Sequence, residues 1–321
     1  MTGGEGQQSV VMIAGPTASG KSGLAAQLAR TLDGVVINAD SMQVYRELAV
    51  LTARPRGAVL ETAPHRLYGV LSGAEPCSAG HWRALAMTEV QEALAQGRLP
   101  ILVGGTGLYL RSFEEGLSAV PEVPAEVRAA ARATLAEIGP AALHAKLAAG
   151  DPEMAARLAP GDSQRVVRAW EVLQATGRSL AQWQAAAAEP APFRFVKLCL
   201  MPPRAALYAA CNRRLEAMLE EGALEEVGRL LDLGLDPGLP IMKAVGVPEF
   251  AGFLRGSASL DDALGRAQQA TRRYAKRQTT WLRHQFLGND QTIMVVGTQY
   301  SESLMPELFS KIRQILLTDP G

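Results

Sequence analysis

A chain of 321 residues that is 48% hydrophobic and 20% charged can bury a full core, which excludes disordered and fibrous classes. Its 32 basic residues balance 32 acidic ones, so bulk charge selects no partner and any nucleic-acid role has to come from local clustering. No uninterrupted apolar stretch approaches the roughly 18 residues of a membrane span, and the opening MTGGEGQQSV lacks the basic and apolar regions of a secretory signal. A cytoplasmic protein with no membrane association is therefore expected. Cys77, Cys199 and Cys211 are odd in number and far apart, and His65, His81, His144 and His284 are scattered. Reduced thiols are expected, with neither a disulfide frame nor a His/Cys metal site.

In chain order, SVVMIA at 9–14 is a short β-rich run that meets a Gly-rich turn and then a helical pattern over 21–32. Residues 35–37 form a second short run ending at Asn38-Ala39-Asp40, and 100–103 a third ending at Gly104-Gly105-Thr106-Gly107. Two further strands are expected at 193–200 and 292–296. Short apolar runs bounded by turn residues and linked by helices predict an α/β fold, a P-loop NTPase-like parallel sheet flanked by helices. From about 124 to 188 the chain is alanine-rich and strand-poor. Pro124 and Pro140 suit first-turn positions, and Asp162 or Ser163 can cap a helix that Gly177 ends. An all-helical insertion over 121–192 is expected between two parts of the core, 1–120 and 193–321.

The most specific local signal is Gly15-Pro16-Thr17-Ala18-Ser19-Gly20-Lys21-Ser22, which matches G-x-x-x-x-G-K-[ST] between a strand and a helix. Loop N–H groups and the helix N-terminus face one anion there. Lys21 adds a point charge, and the Ser22 hydroxyl is placed for Mg²⁺. The motif implies a bound diphosphate or triphosphate and leaves the reaction open. Asp40 is the strand-end acid of the right kind, and spacing alone leaves it a metal ligand, a general base or a helix cap. Between Ala263 and Asn289 lie Arg266, Arg272, Arg273, Lys276, Arg277 and Arg283 with no acidic residue. Their helical spacing makes a phosphate-binding stripe, opened by Ser259 with Asp262 as a capping pair. Tyr274 and Trp281 on the same segment are read as core anchors.

GPTASGKS at 15–22, NADSMQVYR at 38–46, TARP at 52–55, GGTGLYLR at 104–111 and TRRYAKRQTTWLR at 271–283 occur in this order. In combination they resemble the tRNA dimethylallyltransferases, the isopentenyl transferases that modify adenosine next to the anticodon. The resemblance runs from about Val10 to Arg283. It implies a P-loop that holds the diphosphate of dimethylallyl diphosphate, with Mg²⁺, and prenyl transfer to the exocyclic N6 of adenosine. It makes Asp40 the group that takes or orients the amine proton, and Lys21 and Arg214 the cations on the leaving diphosphate. Alignment of residues 207–219 selects Arg214 over Arg213, which points about 100° away around the helix. The tRNA anticodon stem-loop is the implied partner. Asp40, Ser41, Met42 and Gln43 face the target base, Thr106 and Arg128 match tRNA-contacting positions, and Gln164, Arg165 and Arg168 lie in the segment that approaches the anticodon loop. The chain departs from the family pattern at Ala210, at Gly246-Val247-Pro248-Glu249 and near Gly80. A monomer is expected. The competing readings are a P-loop small-molecule kinase, a prenyltransferase acting on free adenine nucleotide, and an RNA-binding regulator with a vestigial nucleotide site.

Overall fold

The structure is a computed structural model that describes residues 7–186, 188–288 and 293–318. Six strands, β1 (Ser9–Ala14), β2 (Gly34–Asn38), β3 (His65–Arg66), β4 (Leu99–Gly104), β5 (Arg194–Leu200) and β6 (Met294–Val296), form one sheet in the order β3-β2-β4-β1-β5-β6. Every pairing is parallel. The helices are α1 (Lys21–Thr31), α2 (Ala58–Thr62), α3 (Ala79–Ala95), α4 (Gly107–Glu115), α5 (Ala125–Gly150), α6 (Pro152–Ala156), α7 (Ser163–Thr176), α8 (Leu180–Ala185), α9 (Arg204–Glu220), α10 (Ala223–Asp232), α11 (Val247–Leu254), α12 (Leu260–Trp281) and α13 (Met305–Leu317).

β1 explains why its sequence reads as a continuous apolar run. Val10, Met12 and Ala14 join a core on one face that includes Ile37, Trp82, Leu102, Phe113 and Phe250. Val11 and Ile13 join the core on the other face with Leu24 and Leu28 of α1 and Ile312 of α13. A strand covered on both faces has no polar side to display. The expected strand at 292–296 is observed from Met294, and Thr292 lies outside the described residues. β3 has no counterpart among the expected strands, because two residues carry no periodicity; it is held by pairing Val36 with His65 and Ile37 with Arg66. The parallel arrangement brings the carboxyl ends of β1, β2 and β4 to one edge, and the chain fills one side of β1 with β2, β3 and β4 before crossing to β5 and β6 on the other. Such a crevice is where open α/β sheets bind ligands.

The chain divides into two compact units, one comprising the residues up to Glu114 with those from Ala191 onward, the other Glu115–Pro190. The second unit is helical and has its own core of Leu143, Leu147, Val166, Ala169, Val172 and Ala181. Within it α5 is interrupted at Gly139 (φ 77°), so that Pro140 opens the second half as a first-turn proline. Asp162 caps α7 by accepting the Arg165 N–H, and Gly177 ends that helix in the left-handed region. Among the described residues no helix is long and apolar enough to cross a membrane.

Candidate active site

β1 stops at Ala14, residues 15–20 turn, and α1 opens at Lys21. The turn is tight enough to put Ala18 at φ 62°, a conformation L-residues seldom adopt. Ser19 Oγ is buried in this loop with no hydrogen-bond partner among the described residues. An orphaned buried donor fits a loop shaped around an anion. Lys21 Nζ folds back on the Pro16 carbonyl at 3.3 Å. Burial pulls its pKa down to about 8, against the attraction of Asp40 and with the repulsion of Arg214 adding to the fall. Arg214 is delivered by α9, whose buried stripe is Leu207, Cys211, Leu215 and Met218. Leu207 and Cys211 pack with Ala18 of the loop and Ala275. That seating carries Arg214 to the loop, where Nη2 donates to Thr17 Oγ1, while Arg213 is exposed.

Asp40 follows the end of β2 in a turn built by Asn38, which is fully buried. Asn38 Oδ1 accepts the Asp40 N–H at 2.9 Å, and its Nδ2 donates to the Asp40 and Leu67 carbonyls, both at 3.0 Å. Trp82 Nε1 donates to the Asn38 carbonyl at 2.8 Å and fixes the strand end from behind. Asp40 Oδ1 accepts the Met42 N–H at 2.9 Å, a side-chain turn rather than a helix cap, since residues 41–44 are turn and not helix. The carboxylate field reaches Lys21 and Arg214 and also raises the phenol pKa values of Tyr68 and Tyr274, in both cases behind burial. The same field reaches a third phenol, Tyr109, so Asp40 acts on two cations and three phenols. Ser41 N–H donates to Thr106 Oγ1 at 2.9 Å, and Thr106 N–H to the Ala39 carbonyl at 3.3 Å. Gln43 Nε2 is held by the Thr52 and Ala53 carbonyls at 2.7 and 3.3 Å. Met42 is half-buried and packs against the core.

The Gly104–Gly107 turn, which carries Thr106, is pressed against α12. A Cβ at Gly105 would lie 2.2 Å from Gln278 Nε2, and one at Gly107 would lie 2.0 Å from the Trp281 ring. A side chain at Gly107 would collide with the Trp281 ring, and one at Gly105 would displace the Gln278 amide. Gln278 itself, which lies within the 271–283 segment but has no role assigned from it, is buried, accepts the Thr17 N–H on Oε1 at 2.8 Å and donates from Nε2 to the Gly105 carbonyl at 2.9 Å. Beyond that segment its signal is a polar residue on the stripe Thr271, Ala275, Gln278, Leu282, all buried. Trp281 packs on the core as expected. Tyr274 differs from the expectation, because it is half-buried and its hydroxyl bonds Thr106.

On the outer side of α12 and the turn after it, Arg266, Arg273, Lys276, Arg277 and Arg283 are exposed, while Arg272 is tied to Asn212 Oδ1 at 2.7 Å. Ser259 Oγ caps the helix by accepting the Asp262 N–H at 3.1 Å. Gln164, Arg165 and Arg168 lie on the exposed face of α7 in the second unit, and Arg128 is half-buried on α5. Arg165 pairs with Asp162 at 3.4 Å and Arg168 with the buried Glu171 at 3.5 Å.

Among the described residues no group of three or more His, Cys, Asp or Glu could hold a metal. The motif serine Ser22 and the strand-end acid Asp40 are the oxygen donors suited to a cation here. So sparse a donor set fits Mg²⁺, which keeps waters and binds through one or two protein oxygens plus substrate phosphates.

Residues 43–285 match the family model described as IPP transferase. A tRNA dimethylallyltransferase of Rhodospirillum rubrum is 56% identical over 98% of this chain and 97% of the relative. Another, of Rhodospirillum centenum, is 59% identical over 86% of this chain and 88% of the relative. The crystal structure of the full-length tRNA isopentenylpyrophosphate transferase of Bacillus halodurans superposes with a TM-score of 0.70 at 32% identity, covering 97% of both chains. A eukaryotic dimethylallyltransferase captured acting on tRNA superposes at 0.81 with 26% identity, covering 96% of this chain and 80% of the other. With three quarters of its length inside the family model and relatives of this identity along nearly all of it, the chain belongs to the IPP transferase family.

Proposed function

We propose that this protein transfers the dimethylallyl group of dimethylallyl diphosphate to the exocyclic N6 of the adenosine immediately 3′ of the anticodon in tRNA, releasing diphosphate. The observation that carries the reading is that two cations held at the phosphate loop, Lys21 on the Pro16 carbonyl and Arg214 on Thr17, lie within the electrostatic reach of the Asp40 carboxylate, in a chain from this family.

In this reading the loop from Gly15 to Ser22 cradles the diphosphate through its N–H groups and the α1 N-terminus. The N6 lone pair forms a bond to the allylic C1 as the C1–O bond breaks, and the electron pair of that bond leaves on the diphosphate oxygen. Asp40 accepts the proton that the amine gives up, which a weakly nucleophilic exocyclic amine requires. Lys21 and Arg214 oppose charge that grows on the leaving oxygen, so their attraction is stronger in the transition state than before it. The Ser22 hydroxyl would hold Mg²⁺, which would supply further neutralisation of the diphosphate. The adenine leaves the anticodon-loop stack to reach the site. Ser41, Met42, Gln43 and Thr106 line its approach, the α12 stripe takes tRNA phosphates, and Arg128, Gln164, Arg165 and Arg168 bring the inserted unit to the anticodon stem-loop. The enzyme works as a cytoplasmic monomer.

The test is to incubate purified protein with dimethylallyl diphosphate, Mg²⁺ and either unmodified tRNA or AMP, and to weigh the digested nucleosides. Prenylated adenosine from tRNA alone supports the reading. Prenylated AMP would make the protein a nucleotide prenyltransferase, and in a parallel reaction with ATP added, ADP formed with a phosphorylated acceptor would make it a kinase.

A further inference from the structure

The substrate-facing loops come from different parts of the chain, yet one buried amide joins two of them. Gln278 takes the Thr17 N–H at 2.8 Å from a residue 261 positions away and gives its own N–H to the Gly105 carbonyl at 2.9 Å, 173 positions away. Each end of this bridge leads onward. Thr17 also receives Arg214 through its hydroxyl. Gly105 is followed by Thr106, which accepts the Ser41 N–H beside Asp40. Tyr274, one turn earlier on α12, reaches Thr106, and Trp281, one turn later, fills the space beside Gly107. The outer face of the same helix carries Arg273, Lys276 and Arg277.

We infer that Gln278 is a positioning residue that couples the diphosphate loop to the base-facing turn, so that occupancy of either site tightens the other. The inference rests on the prenyl-transfer reading of the two sites. An amide oxygen and an amide nitrogen spent on two loops cannot follow one loop without pulling the other, and 6% exposure leaves little water to replace a broken bond. Phosphates bound along the outer face of α12 fix the helix, and with it the amide. Coupling of this kind is reciprocal, because each ligand favours the same arrangement of the shared element.

The experiment measures the affinity of unmodified tRNA with and without saturating inorganic diphosphate and Mg²⁺, and the affinity of diphosphate with and without tRNA. The wild-type protein is expected to show the same tightening in both directions, about fivefold or more. Gln278→Met keeps the bulk and loses both bonds, and its factor is expected to fall to about one. Gln278→Glu adds a readout that packing alone would not move. A protonated carboxyl accepts from Thr17 and donates to Gly105, whereas the ionised form cannot donate. Coupling in Gln278→Glu is therefore expected near the wild-type value at pH 5.5 and lost at pH 8.5, each referred to wild type at the same pH. Circular dichroism checks that the variants fold, and if the Met variant does not, the near-isosteric Glu variant carries the test. A wild-type protein that prenylates tRNA but shows no coupling overturns the inference, as does wild-type coupling in Gln278→Met or in Gln278→Glu at both pH values. A wild-type protein that does not prenylate tRNA overturns the functional reading instead.

Discussion

Lys21 carries a charge that its burial disfavours, and replacing it should stabilise the protein while removing the proposed anion site. Its pKa is about 8 in the fold against an ordinary 10.5, with burial as the main cause. At about 1.4 kcal/mol per tenfold change, that gap corresponds to roughly 3 kcal/mol. The residue is only partly buried, so about 2 kcal/mol is the realistic cost. The sign follows from linkage. Below pH 8 both folded and unfolded chains hold the proton and the full cost applies. Between pH 8 and 10.5 the folded chain releases it first, so stability rises with pH, and above 10.5 the cost is gone. Lys21→Met has no such proton. It should exceed wild type by about 2 kcal/mol at pH 7, or roughly 4 to 8 °C in Tm for a unit of this size, with the gap closing toward pH 10.5. Denaturant midpoints of both proteins, measured from pH 7 to 10.5, read the gap directly. Inorganic diphosphate should stabilise wild type and leave Lys21→Met unchanged. A gap that does not vary with pH, or a variant less stable than wild type at pH 7, would refute the reasoning.

Three further outcomes are expected. Arg214→Ala should weaken diphosphate binding about tenfold or more by calorimetry, since it removes a charged partner from the loop, whereas the exposed neighbour Arg213→Ala should leave binding within about twofold; equal effects would show that α9 is read in the wrong rotation. Replacing Arg273, Lys276 and Arg277 by alanine should lower the slope of log affinity for tRNA against log salt by about 0.7 to 0.9 for each phosphate no longer neutralised, and an unchanged slope would remove the stripe from the RNA surface. Glu226 is buried and its carboxylate accepts the N–H groups of Ala49, Val50 and Leu51 at 2.7, 2.8 and 2.9 Å. Glu226→Ala should cost about 3 kcal/mol in urea unfolding; a loss under about 1 kcal/mol would mean that the loop leading into TARP is held by something else.

How far the sequence could be read depended on how far apart in the chain the partners lie. The run at 9–14, the GKS turn and the capped helices at Asp162 and Ser259 are set by neighbours in the chain, and all stand where the residues indicate. The choice of Arg214 over Arg213 needed only helical rotation together with the family alignment, and the buried stripe of α9 realises it. Gln278 shows the limit. Periodicity marks position 278 as facing inward, but no local pattern says that it meets Thr17 and Gly105. Tyr274 reads as a core anchor for the same reason: its aromatic ring is legible, while the Thr106 partner of its hydroxyl, far away in the chain, is not. β3 escapes because two residues cannot express a period.

The proposed mechanism centres on a phosphate loop that grips the leaving group of an allylic donor and not a nucleoside triphosphate under hydrolysis. Phosphorus NMR of a reaction containing dimethylallyl diphosphate, ATP, Mg²⁺ and unmodified tRNA tests this in one spectrum. One inorganic diphosphate should appear for each adenosine prenylated, with ATP intact and with release abolished in Asp40→Asn. Accumulation of ADP and orthophosphate, or diphosphate release that persists in Asp40→Asn without prenylated tRNA, would contradict it.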